Sequence, residues 1–143
     1  MKTIYLISSL RNRADTIYIA NELEKQTGVE IFDSWLAPGP EADDMWKEYE
    51  QARGRSYEEA LKGHAAQHIF DFDKFHLDRC DGCILLLPAG KSAHLELGYM
   101  LGTGKPGYIL MDKKSIKSRW DVMNIFATKV CFSFDELLRV LKK

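Results

Sequence analysis

The sequence predicts an α/β protein built on a parallel sheet covered by helices on both faces. Three observations carry this. Short apolar, β-branched runs alternate with stretches of helical spacing along the whole chain. "GCILLLP" is a continuous apolar run with no polar alternation, as expected of a strand buried on both faces. No internal repeat, low-complexity tract or linker divides the 143 residues, so they are read as a single domain.

Each element follows in order. "TIYLISS" (3–9) is the first strand. Arg11 to Gln26 reads as a helix, with Ile17, Ala20 and Leu23 at helical spacing and Gly28 as its stop. "VEIFDSW" is the second strand, and "LAPGPEADD", with two prolines and a glycine, is a loop. Asp43 to Asp78 is largely helical, as two helices broken near "ARGRS", where Ser56 and Glu59 have the spacing of a capping box. "GCILLLP" is the third strand. Residues 92–103 form a helix stopped by Gly104, and "PGYILM" is the fourth strand. A helix or turn near 116–125, the strand "KVCFS" and the amphipathic helix "DELLRVLKK" complete a five-stranded alternation.

Composition excludes several classes. Hydrophobic residues make up 45% and charged residues 29%, and the formal net charge is -1 with the signs interspersed. That is not the basic field of a nucleic-acid binder, so no nucleic-acid polymer is expected as a partner. No apolar run approaches the ~20 residues of a membrane-spanning helix, so no membrane partner is expected. The apolar part of "MKTIYLISSLRNR" is too short for a secretory signal. Three cysteines, an odd number, argue against a disulfide scaffold and suit a reducing, cytoplasmic location.

In open α/β sheets, ligands bind beyond the carboxyl ends of the strands. "SSLRNR", "DSWLAPGPEADD" and "PAGKSAHLE" would converge there. "PAGKS" lacks the first glycine of a phosphate-binding loop, because Leu85 occupies that position. Small residues at a helix start still present backbone N–H groups to an anion. Ser92 there either caps the helix or contacts ligand, and one hydroxyl can do both. Glu96 lies one turn into this helix, with Ser92, Ala93, Tyr99 and Met100 on its face. A carboxylate on so apolar a face either points into the crevice with a raised pKa or serves the helix dipole. Asp71, Asp73 and Asp78 precede the third strand on a helix, Asp73 about two turns before it and Asp71 offset to another face, where acidic runs are ordinarily solvated, and Asp81 reads as a turn residue. In "CDGC", Cys80 ends a helix and Cys83 enters a core strand, the reverse of a thiol redox site. His64, His68, His76 and His94 have no metal-ligand spacing with the cysteines. Trp35 and Trp46 are equally readable as site wall or as core and lid packing.

"YLISSLR", Asp73 eight residues before Asp81, and "SAHLELGYMLGTGKP" together resemble the nucleoside 2-deoxyribosyltransferase family, which includes the 2'-deoxynucleoside 5'-monophosphate N-glycosidases. The similarity lies in motif order and spacing and covers nearly the whole chain. Glutamate followed by Leu-Gly-Tyr, then Gly-Lys before a strand, is its most specific part. The resemblance implies a flavodoxin-like (Rossmann-like) fold and cleavage of an N-glycosidic bond, by hydrolysis or by base exchange. Glu96 matches the family nucleophile, Asp73 the second acidic residue, and Tyr5 the tyrosine that positions the nucleophile. No cofactor and no metal are implied. The "SSLR" segment is closer to the nucleotide hydrolases, where Ser8, Ser9, Leu10 and Arg11 would hold a 5'-phosphate, with Ser92 adding a hydroxyl.

The chain departs from the family pattern at two places. The loop aspartate that the transferases place six residues before the nucleophile is Gly90. The residue that reaches the substrate's 5' end from a neighbouring subunit matches Asp121, where relatives carry Asn or Ser. An aspartate repels a phosphate and accepts a bond from a 5'-hydroxyl, so both substrate forms stand. A homodimer or larger homo-oligomer with shared sites is implied. Two further readings stand beside the enzyme: a nucleotide-binding or sensing module without turnover, and a glycosidase for another ribosyl compound.

Overall fold

A computed structural model describes residues 1–37 and 42–142. Among them, β1 (Thr3–Ile7), β2 (Glu30–Phe32), β3 (Gly82–Leu86), β4 (Gly107–Leu110) and β5 (Lys129–Cys131) form one sheet. The strand order is β2-β1-β3-β4-β5, and every neighbouring pair is parallel. This is the flavodoxin-like order, and its winding reverses between β1 and β3.

Strand alternation sends side chains to two cores. Ile4 and Leu6 face one side, where Ala20 and Leu23 of α1 (Arg13–Thr27) and Leu137 and Leu138 of α7 (Phe134–Leu141) pack on them. Tyr5 and Ile7 face the other side. There they meet Leu77 of α4 (His64–Arg79) and Ala93, Leu97 and Met100 of α5 (Lys91–Gly102). Every residue of β3 is buried, as its unbroken apolar run requires. A core side chain such as Leu85 gains roughly 1.5–3 kcal/mol from burial.

Local chemistry sets the boundaries. Gly28 closes α1 at φ +73°, a left-handed conformation that a side chain would disfavour. The capping box is complete: Ser56 Oγ accepts from Glu59 N–H at 3.2 Å, and Glu59 Oε1 accepts from Ser56 N–H at 3.0 Å. Asp81 is the turn residue expected, its Oδ2 accepting from the N–H groups of Lys2 and Thr3 at 2.7 and 3.0 Å.

Several elements differ from the sequence reading. The first strand stops at Ile7, and Leu10–Asn12 makes a 3-10 turn before α1. The second strand ends at Phe32, because Ser34–Leu36 turns as a 3-10 helix. Trp35 is half-buried there for its own reason: its indole N–H donates to Leu6 O at 2.8 Å. The middle of the proposed loop after it, residues 38–41, lies outside the described residues, and by Ala42 the chain is already helical. The stretch read as two helices is three: α2 (Ala42–Ala52), α3 (Tyr57–Leu61) and α4. The extra break falls at Lys62–Gly63, where Gly63 is extended and occupies the N-cap position of α4. The segment near 116–125 divides into α6 (Lys113–Lys117) and a 3-10 turn at Val122–Phe126.

Candidate active site

The switch point between β1 and β3 positions the site. β1 pairs with β3 from Ile4↔Gly82 to Ile7↔Leu85, so both strands deliver their following loops to the same edge. Ser8 ties the two exits together, its buried hydroxyl donating to Leu86 O at 3.3 Å. Ser9 Oγ accepts from Arg11 N–H at 3.2 Å and so caps the Leu10–Asn12 turn. That turn leaves Arg11 exposed at the rim, beside the half-buried Leu10. Ser9, Arg11 and Asn12 then meet Pro88, Ala89 and Gly90 around a cavity of about 300 Å³. The start of α5 adjoins this cavity. Gly90 is its N-cap residue and offers no side-chain acceptor to the first N–H groups.

Ser92 is therefore not the cap. The helix begins one residue earlier, at Lys91, which puts Ser92 inside the first turn with its side chain exposed. A Ser at that position has already passed the extended conformation a cap requires.

Tyr5, Asp73 and Glu96 come together on the α4/α5 face of the sheet. Tyr5 sits mid-strand beside Phe32 and Cys83 in register, and is almost wholly buried. Its hydroxyl crosses to α5 and donates to Glu96 Oε2 at 3.1 Å. Asp73 on α4 is close enough to act on both groups electrostatically. Burial is the main cause that pushes the Glu96 carboxyl up to about 7, the negative Asp73 adds to it, and the Tyr5 hydrogen bond opposes it. The Tyr5 phenol is pushed well above its ordinary value by burial and then by the Glu96 and Asp73 carboxylates. It keeps its proton and acts as a donor at any physiological pH. An aromatic floor supports this group: Tyr5 lies 5.1 Å from Phe32, which stacks on His76 at 4.0 Å.

The remaining expectations fall away from this cluster. Asp71 is exposed and accepts from Gln67 at 2.7 Å. Asp78 pairs with Lys74 at 2.8 Å. Asp121 is exposed, accepts from Met123 N–H at 3.0 Å and faces Arg119 at 3.7 Å. Trp46 packs edge-on to Tyr57, between α2 and α3. The three cysteines are free and buried; burial lifts the thiols of Cys80 and Cys83 to about 11 and 12, so both stay protonated. Among the described residues, no His, Cys, Asp and Glu group has metal-binding geometry, and no helix is long and apolar enough to cross a membrane.

Asn12 was not singled out from the sequence. It lines the cavity at Ser9 and Arg11, and also a second one of about 260 Å³ reaching Asp112 and Phe134. Its signal was present: a polar amide four residues after Ser8, the buried residue that follows β1, where Nδ2 approaches Ser8 Oγ at 3.5 Å.

The fold and these groups define an α/β protein with a carboxylate pair and an anion-compatible rim at the sheet's switch point. A scan of protein-family models finds none that matches the chain, and a search of curated proteins finds no match either.

Proposed function

We propose that this protein cleaves the N-glycosidic bond of a nucleoside or nucleoside 5'-monophosphate, as a member of the nucleoside 2-deoxyribosyltransferase family, with Glu96 as nucleophile. The observation that carries the reading is the Tyr5–Glu96 hydrogen bond with Asp73 across from it. A solvated surface glutamate would need neither the buried tyrosine nor the second carboxylate.

The chemistry follows from these groups. A Glu96 carboxylate oxygen attacks C1' while the C1'–N bond breaks and the leaving base takes up a proton. The Tyr5 hydroxyl holds Oε2 and so aims the carboxylate. Asp73 assists base protonation or orients the sugar. Water then attacks C1' and frees Glu96, giving hydrolysis; a second base in its place gives exchange. Ser9 and Arg11, with the open first turn of α5 at Gly90 and the nearby Ser92, suit a 5'-phosphate. Ser8 and Leu10 flank Ser9 in the same segment and complete the proposed 5'-phosphate site. Asp121, from a neighbouring subunit, would meet the 5' end and favour a 5'-hydroxyl. The protein acts as a homo-oligomer in the cytoplasm and needs no cofactor.

The test is a panel of nucleosides and 5'-monophosphates, with released base followed by chromatography, with and without an added second base. Release from at least one member is expected, with a loss on the order of 10³-fold or more in Glu96→Ala. Blank traces from the wild type across the panel, or full activity in Glu96→Ala, refute the proposal.

A further inference from the structure

Asp73 and Glu96 stand on different helices, so their separation depends on how α4 and α5 are fixed to each other. α4 leads into β3 and α5 leads out of it, so both run opposite to the strands and parallel to one another. Moving down both helices from the carboxylates therefore leads toward the amino edge of the sheet. Two contacts between the helices lie in that direction. Tyr99, three residues after Glu96, donates its hydroxyl to Asp78 Oδ1, five residues after Asp73. Lys74, next to Asp73, holds the other Asp78 oxygen at 2.8 Å, and its ammonium lies 5.7 Å from the Tyr99 ring centroid. Beyond the end of α5, Lys105 reaches back to the carbonyl ends of α4, donating to Leu77 O at 3.1 Å and to Asp78 O at 2.6 Å. These carbonyls belong to the last turn of α4, where no intrahelical donor remains for them.

We propose that Tyr99 and Lys105 are positioning residues that rivet α5 to α4 below the carboxylate pair and thereby set the approach of Asp73 to Glu96. The proposed glycosidase reaction gives this arrangement its use, and to that extent the inference rests on that reading. A pair of like charges tends to separate and draw in water. Contacts that cross between the helices, outside the site, resist that movement without touching substrate. The groups facing Glu96 itself are Tyr5 from β1, Asp73 from α4 and Cys83 from β3. Neither Tyr99 nor Lys105 is among them, so a fall in the Glu96 pKa on removing either reports helix placement.

The experiment follows the Glu96 carboxyl carbon by NMR titration in protein carrying 13C-labelled glutamate, assigned with Glu96→Gln. Tyr99→Phe removes one exposed-side hydroxyl and no charge. Lys105→Met removes a cation, whose loss by charge alone would raise the Glu96 pKa. Loosened helices would lower it, because Asp73 recedes and water enters. A fall of about half a unit or more is expected in both variants. Lys62→Met, which breaks only the exposed pair with Glu58, is expected to leave the value unchanged. No change in Tyr99→Phe, a rise in Lys105→Met, or an equal fall in Lys62→Met overturns the proposal. Where a substrate is found, Tyr99→Phe should lower kcat with KM little altered and shift the acid limb of the pH–rate profile downward. If no substrate is turned over, the glycosidase reading fails while the titration still decides the positioning role.

Discussion

Glu96→Gln should stabilise the protein, by an amount that grows as pH rises from about 4.5 to about 7 and is level above that. The folded-state carboxyl sits at about 7 against an ordinary 4.5. Below the ordinary value, both folded and unfolded forms are protonated and the group contributes nothing. Between the two values the folded state holds a proton that the unfolded state has lost, so wild-type stability falls as pH rises. At about 1.4 kcal/mol per pH unit the full cost is about 3 kcal/mol above pH 7, and on the order of 2–3 kcal/mol after discounting for partial exposure. Glutamine has the same shape, carries no charge and still accepts from the Tyr5 hydroxyl. Urea unfolding of wild type and variant, followed by far-UV circular dichroism from about pH 5 to about pH 8, reads this difference directly. With a urea slope of roughly 1–3 kcal/mol per molar, the variant's midpoint should lie on the order of 1–2 M higher at the alkaline end, with the slope itself unchanged. The advantage should shrink toward zero at the acid end. A stability difference that is flat across this range would refute the reasoning, because it would mean that Glu96 ionises as an ordinary surface carboxylate.

Tyr5→Phe removes the bond that holds the Glu96 pKa down, so the acid limb of the pH–rate profile should move to higher pH, and activity at about pH 6 should fall more than at about pH 8. An unmoved limb would show that Tyr5 does not set the ionisation of the proposed nucleophile. Arg11→Ala should cost 5'-monophosphates roughly 10- to 100-fold in kcat/KM, the value of one charge-assisted bond, while 5'-hydroxyl nucleosides lose less than about twofold. Equal losses on both substrates would remove Arg11 from the anion site. Gly82→Ala should destabilise by roughly 1–3 kcal/mol in thermal or urea melts, since a methyl there would stand 2.8 Å from the Pro106 carbonyl oxygen, a backbone atom unable to swing aside. Ser56→Ala should cost about 1 kcal/mol by the same measure, with one bond of the capping box gone.

The fold was legible because its signals are local and redundant. The buried run of β3, the glycine at α1's end and the Ser56–Glu59 spacing each report on a few neighbouring residues, and each appears where expected. What escaped depends on long-range packing. Trp35 extends an apolar run past the end of β2, yet it is drawn inward by a carbonyl of β1, which nothing in "VEIFDSW" encodes. Gly63 breaks a helical stretch because α3 and α4 turn against one another, a demand set in three dimensions. Ser92 had the composition of a cap, but Gly90 takes that position two residues earlier. The Lys105 and Tyr99 contacts join residues 21 to 28 positions apart and leave no periodic trace.

At Glu96, sequence and structure depart from ordinary packing rules for the same reason. In the sequence it is a charge set among Ala93, Leu97 and Met100; in the fold those three residues are the buried face of α5. The apolar neighbours that make the residue look misplaced are what strip water from its carboxyl and raise its pKa. The chain adds a second carboxylate beside it, which raises the cost further, and supplies one buried phenol that lowers it. A chain under selection for stability alone would place glutamine or leucine at this position. Packing does not call for a destabilising carboxylate aimed by a tyrosine from a different element, and the proposed role as a reacting group does. The pH dependence of Glu96→Gln therefore tests more than one residue's ionisation: it measures how much stability the fold gives up to hold that carboxylate in place.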